Sequence, residues 1–172
     1  YLADPVSLKR YYPNAVQYPG DVTDLIPTIL ENYRSQRVTL CDTLADLNAD
    51  LGAGQATASN IDLLRRPDTV AVVTGQQAGL FGGPLYTLYK ALSAIRLAEE
   101  LVASGHSAVP VFWMATEDHD FAEVSTTYFS SRTAGIVPAS YTPASYQDDL
   151  AGGTVEIDLT ISRVIEDLFA EL

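Results

Sequence analysis

Apolar positions along the chain change period several times, and each change marks an element. Between residues 21 and 54, Leu25, Ile29 and Tyr33, then Leu40, Leu44, Leu47 and Leu51, recur at helical spacing up to Gly52 and Gly54. Pro27 falls within the first turn, where a missing N–H costs least. "GAGQATASN" reads as a loop of small residues and "RRPD" as a turn. "TVAVVT", residues 69–74, is a β-branched run of strand length. Residues 84–104 then place Leu85, Leu88, Leu92, Ile95 and Leu101 on one helical stripe, and "AVPVFWMAT", residues 108–116, is a second apolar run. Neither run alternates with polar residues, the pattern of strands covered on both faces, as in a parallel sheet flanked by helices. The expected fold class is α/β.

On either side of this centre the pattern is different. Residues 1–20 hold Tyr1, Tyr11, Tyr12, Tyr18 and three prolines, an extended lead that packs aromatic anchors onto a neighbour. After Phe121, "STTYFSSRTAGIVPASYTPASYQDDLAGGTVEIDL" is rich in Ser, Thr, Tyr and Gly, with a strand expected at 154–159. It reads as the start of an inserted α+β subdomain. The organisation expected is a lead and helix over 1–66, a core unit over 67–124, and the beginning of the insert over 125–172. In "TISRVIEDLFAEL", Ile161, Val164, Ile165, Leu168 and Leu172 keep helical spacing with no exit signal, and the first residue is Tyr1, so the chain is expected to be part of a longer protein.

Charge narrows the partners. The 172 residues carry 10 Lys+Arg against 22 Asp+Glu, a net charge of −12, which repels nucleic-acid phosphates and anionic membranes. The densest basic cluster, Arg65-Arg66, is only two residues long, so no nucleic-acid or membrane partner is expected. Cys41 is the only cysteine, which excludes an intrachain disulfide and a cysteine-based zinc site and suits a small buried hydrophobe on a helix. The run 109–115 is too short for a bilayer and no signal-peptide pattern opens the chain, so a cytoplasmic location is expected.

Two segments could carry chemistry. The first is "VVTGQQAGLFGGPLYTLYK", residues 72–90. No Lys follows a Gly, as a Walker loop requires, and Gly75, Gly79, Gly82 and Gly83 do not match Gly-x-Gly-x-x-Gly. The loop nevertheless leaves the carboxyl end of a strand and enters a helix, where open α/β sheets bind polar or anionic ligands. Gly75, Gln76 and Gln77, with Tyr86 and Lys90 from the first helical turns, are the candidate binding residues. A glycine-rich turn without a ligand is the competing reading.

The second segment is "TEDHD", where Glu117, Asp118, His119 and Asp120 follow the second strand. Two strand-to-helix loops of one parallel sheet open onto the same edge, so this cluster is expected near Gln76 and Gln77. His119 and Asp118 are the candidate catalytic pair for proton transfer, with Glu117 and Asp120 as substrate-binding carboxylates. The competing reading is a solvated acidic turn. No metal site is expected, because consecutive side chains diverge and no second histidine or cysteine cluster exists. Trp113, within an apolar strand, is expected in the core, with the lining of a pocket near the sheet edge as the alternative.

"VVTGQQAGLFGGPLYTLYKALSAIRLAEEL" followed by "VPVFWMATEDHDFAEV" resembles the bacillithiol biosynthesis cysteine-adding enzyme family, densely over residues 70–124. The resemblance implies a Rossmann-like core similar to class I aminoacyl-tRNA synthetases, with connective inserts and a carboxyl-terminal coiled coil used for homodimerisation. Gly75, Gln76 and Gln77 then stand where a synthetase has its first histidine-glycine signature, although this chain has no histidine there. Thr116–Asp120 resembles a threonine-aspartate-glutamate-histidine element of some synthetases. The implied activity joins cysteine to glucosaminyl malate as an amide. It also implies an activated carboxyl, for which ATP is the candidate cofactor; the residues themselves leave the cofactor open. A non-catalytic nucleotide or small-ligand binding module would use the same loop.

Overall fold

The computed structural model describes residues 10–11, 16, 19–32, 36–147 and 150–172. Tyr1, Tyr12, Tyr18 and Tyr33 lie outside the described residues, and Tyr11 is exposed. Two compact units are present: the described residues up to Val72 with Ala94–Val111, and Val73–Ser93 with Phe112–Leu172.

In the first unit a short 3-10 stretch, Pro19–Leu25, leads into helix α1 (Ile26–Asn32), followed by α2 (Arg37–Asp50) and α3 (Gln55–Leu64). The helical reading of residues 21–51 needs two corrections. The chain enters α2 through Gln36 in the left-handed region (φ 63°), and the face of α2 that is buried carries Cys41 with Leu44 and Ala45. Leu40, Leu47 and Leu51 are exposed. Cys41 is fully buried, as expected, against Ile61, Leu64 and Val109. The supposed loop "GAGQATASN" is instead the entry and first turns of α3, capped by Gly54. Ala, Ser and Thr do not break a helix, and Ile61 and Leu64, one turn apart, supply the buried face that holds it.

A second cluster packs Ile26, Val70, Ala98, Leu101 and Ala108, with Leu30, Val72 and Leu97 at its margin. Arg37 Nη1 donates to the carbonyls of Leu64 (2.9 Å) and Thr69 (2.8 Å), which ties the end of α3 to the start of the first strand.

The expected strand, helix and strand are β1 (Thr69–Gln76), α4 (Leu85–Ala103) and β2 (Ser107–Met114). The strands are hydrogen-bonded neighbours. Their first residues meet through the Thr69 and Ser107 hydroxyls at 2.7 Å, and past their last residues Ala115 N–H donates to the Gln76 carbonyl at 3.1 Å. Start beside start and end beside end make the pair parallel, and the fold is α/β.

Burial again departs from the simplest reading. Leu85, Leu88, Leu92 and Ile95 are exposed, and α4 buries Ala94, Ala98 and Leu101 instead. Small side chains on that face let the helix approach its neighbours closely, which a stripe defined by large residues does not reveal. Val73, Trp113 and Met114 are 63%, 58% and 51% exposed, so the expectation of a core Trp113 and of two fully covered strand faces is not met. Among the described residues only β1 and β2 form this sheet, and nothing pairs outside them.

The second unit adds a four-residue helix, α5 (Phe121–Val124), and an antiparallel hairpin of β3 (Thr126–Ser131) and β4 (Gly135–Ser140), in register from Thr126 opposite Ser140 to Ser131 opposite Gly135. Gly135 has φ +78°, a turn conformation that strongly favours glycine. Helix α6 (Ile161–Glu171) buries Leu168 and packs on β4, and the Ser131 hydroxyl donates to the Glu171 carbonyl at 2.6 Å. The strand expected at 154–159 does not form. Its backbone is irregular, and Asp158 N–H donates to the Tyr141 hydroxyl at 2.8 Å.

Candidate functional site

All of the candidate residues lie in the second unit. Gly75 is near the end of β1, and a Cβ there would stand 2.6 Å from the Trp113 carbonyl oxygen, so the close approach of the two strands requires glycine. Gly79 and Gly83 are pressed together across a short 3-10 turn, Leu80–Gly82, and a Cβ on Gly79 would lie 2.7 Å from Gly83 Cα. The Gly83 carbonyl accepts from the Thr127 hydroxyl at 3.3 Å. These glycines serve backbone packing.

The side chains of the loop form one directed hydrogen-bond chain. Lys90 Nζ donates to the Gly75 carbonyl (3.1 Å) and to Gln76 Oε1 (2.9 Å). Gln76 Nε2 faces Gln77 Oε1 (2.9 Å), Tyr86 Oη (3.1 Å) and Glu123 Oε1 (3.4 Å). Gln77 Nε2 donates to Asp118 Oδ2 (3.0 Å) and Glu123 Oε2 (3.2 Å), and the Tyr86 hydroxyl reaches Glu123 Oε1 at 3.5 Å. The partners fix both amides. The reverse orientation would aim the Gln76 nitrogen at the Lys90 ammonium and the Gln77 oxygen at two carboxylates. Lys90 also lies 5.5 Å from the centre of the Tyr86 ring, within cation–π range.

The acidic segment is shaped by its own backbone. Asp120 N–H donates to Asp118 Oδ1 (3.0 Å), and Asp120 Oδ1 caps α5 by accepting from Glu123 N–H (3.2 Å). The Asp120 N–H is the main reason that Asp118 ionises below the usual aspartate range. Some loss of hydration opposes it, and the Gln77 amide and the His119 backbone and ring add to it. Two glycines from later in the chain hold the same loop: Gly152 N–H donates to the Asp118 carbonyl and Gly153 N–H to the Thr116 carbonyl, both at 2.8 Å. A cavity of about 10 Å³, near the least that a single water needs, lies among Gln77, Ala78, Thr116, Asp118, Asp120 and Gly152.

Gly75, Gln76, Gln77, Tyr86, Lys90 and Asp118 are thus brought together, with Asp120 joined through Asp118. Glu117 turns elsewhere, its Oε1 3.4 Å from the Trp113 indole nitrogen. The exposed His119 stands beside Asp118, but no hydrogen bond among the described residues links its ring to the network. Glu123, which accepts from three of these side chains, was not selected from the sequence. Its signal was the spacing Asp120-x-x-Glu123, an acidic N-cap followed by Glu three residues on.

A parallel β–α–β unit with polar loops meeting past its strands is a Rossmann-like domain, and residues 1–172 match the family described as "Bacillithiol biosynthesis BshC, N-terminal Rossmann-like domain". The chain belongs to that family. The protein named "Putative cysteine ligase BshC" in Salinibacter ruber is 42% identical over 159 residues, 88% of this chain and 28% of its own length. Proteins of the same name in Koribacter versatilis and Symbiobacterium thermophilum are 45% and 49% identical over 72% and 54% of this chain, or 23% and 17% of theirs. The chain therefore spans about a quarter of the length of these curated relatives.

Proposed function

We propose that this chain is the Rossmann-like portion of a carbon–nitrogen ligase that joins cysteine to glucosaminyl malate as an amide in bacillithiol biosynthesis. The observation that supports it best is the single network of Gln76, Gln77, Lys90, Asp118 and Glu123 past the ends of two parallel strands, in a chain of the BshC family. Amide formation needs an amine nitrogen to attack an activated carboxyl carbon. The C–N bond forms, the leaving group departs with its electron pair, and the amine gives up a proton. In this reading Asp118 and His119 hold and carry that proton, and Gln76, Gln77, Tyr86, Lys90, Glu117 and Asp120 orient the substrates.

The proposal extends to the finer organisation: a core over 67–124 of the class I aminoacyl-tRNA synthetase type, the start of a connective insert over 125–172, and a cytoplasmic, homodimeric full-length enzyme that is needed for activity. ATP as the activating group rests on the family resemblance alone. Lys90 is the one cation in this network, bonded to the Gly75 carbonyl and Gln76 Oε1, against two carboxylates, Asp118 and Glu123, a set that suits ammonium and hydroxyl groups rather than a triphosphate. No step in this cluster is assigned to a nucleotide.

The test is cysteine-dependent consumption of glucosaminyl malate by the full-length protein, with and without ATP, for the wild type, Gln77→Ala and His119→Ala. The proposal expects consumption by the wild type and a large reduction of it in both variants while they remain folded. Absence of cysteine-dependent consumption overturns the activity, and unchanged consumption in a variant removes that residue from the site.

A further inference from the structure

Glu123 closes the network without belonging to either segment from which the site was read. Its Oε1 receives the Tyr86 hydroxyl and one Gln76 hydrogen, and its Oε2 receives one Gln77 hydrogen. An amide nitrogen has two hydrogens, so Gln77 Nε2 is saturated by Asp118 and Glu123. Gln76 Nε2 divides two hydrogens among Gln77, Tyr86 and Glu123. Neither glutamine retains a donor for a ligand, which leaves their carbonyl oxygens and the third hydrogen of the Lys90 ammonium for recognition. Negative charge at the far end of the chain helps fix that polarity, and among the described residues Glu123 is the only carboxylate that touches both glutamines and Tyr86.

We infer that Glu123 is a positioning residue of this site. It acts through Gln76 and Gln77, locking the Gln76 oxygen on Lys90, the Gln77 oxygen on the Gln76 nitrogen and both nitrogens on carboxylates, so that the amides present acceptors and not donors to the substrate. This inference rests on the proposed ligase reading of the same cluster. Glu123 is carried on α5, and the Asp120 cap fixes the start of that helix, so the carboxylate is held by the backbone of the acidic segment and not only by the loop it orders. A glutamine at this position keeps the shape, but its own NH2 would oppose either the Gln77 nitrogen or the Gln76 nitrogen and Tyr86 hydroxyl, and would leave that amide held from one side only, by Asp118 or by Lys90.

The experiment is a double-mutant cycle in the full-length enzyme: wild type, Glu123→Gln, Gln77→Ala and the pair, with kcat, KM for each substrate and the thermal midpoint measured for all four. The expected result is a loss of about ten-fold or more in kcat/KM for Glu123→Gln at an unchanged midpoint, the scale of one charge-assisted hydrogen bond. The pair should then lose less than the sum of the two single losses, because part of what Glu123 does runs through the residue already removed. Full additivity, or wild-type kinetics for Glu123→Gln, overturns the inference while Gln77→Ala remains impaired. If Gln77→Ala is itself unimpaired, it is the reading of the site that fails. Should Glu123→Gln not fold, the same cycle with Glu123→Asp, which keeps the charge and shortens its reach, reads the same coupling.

Discussion

Gln77 and Asp118, 41 residues apart in the chain, share a 3.0 Å hydrogen bond from amide to carboxylate. This bond is one of the causes that hold Asp118 ionised below the usual aspartate range. Replacing Gln77 by Ala removes one donor but leaves the Asp120 and His119 N–H groups in place. The Asp118 carboxyl should therefore move part of the way back toward 3.8, its ordinary value, in a carbon-detected NMR titration. An unmoved titration would show that the bond is not formed in solution.

Gly75→Ala puts a methyl group 2.6 Å from the Trp113 carbonyl oxygen, a backbone atom that cannot step aside alone. The expected loss of stability is about 2 kcal/mol, the range for overpacking a closely fitted site. Chemical denaturation reads it directly. Gly82→Ala makes an informative contrast, since its φ of +90° is unfavourable for alanine but no atom lies within 4 Å of the new Cβ.

Arg37 donates from one nitrogen to two part-buried carbonyls, those of Leu64 and Thr69. Arg37→Met retains much of the stem and leaves both acceptors short of a partner, and should cost about 2 kcal/mol in a denaturant titration. Arg37→Lys should recover only a fraction, because an ammonium does not reproduce the guanidinium's reach and rigid geometry.

Acid should weaken the second unit through Asp158. The Thr160 hydroxyl and then the Thr160 N–H stabilise its charged form, partial burial opposes them, and Ala144 N–H and Tyr141 assist. A folded-state pKa below the unfolded value means that the contribution is complete above 3.8 and disappears as pH falls through the lower folded value. The thermal midpoint should drop on acidification below about pH 4. Asp158→Asn should reduce the slope in that window and leave the slope near neutral pH as it was.

The parts of the fold that the sequence discloses are those where one physical cause dominates. β1, α4 and β2 are bounded by runs long enough to exclude other periods, and the burial of Cys41 follows from its small apolar side chain on a helix. The face of α4 was misassigned because large leucines outweigh alanines in any reading by hydrophobicity, whereas Ala94 and Ala98 are what the helix buries. The hairpin of β3 and β4 escaped notice because its Ser and Thr residues resemble a loop. Only the pairing of Thr126–Ser131 with Gly135–Ser140 gives them strand geometry. In the site, topology alone brought Gln77 to Asp118. Glu123 was missed because its importance lies in what it accepts, and acceptance depends on three side chains whose directions no spacing rule supplies.

The backbone bonds from Gly152 and Gly153 to Asp118 and Thr116 have a consequence for the order of assembly. The carboxylate loop is complete in sequence by Asp120, yet two of its carbonyls find their partners only in residues that leave the ribosome about thirty positions later. During synthesis the loop can settle into its final shape only after the hairpin has emerged and the chain has doubled back. Gly153→Ala, whose Cβ would meet Thr116 at 2.9 Å, opposes that closing contact.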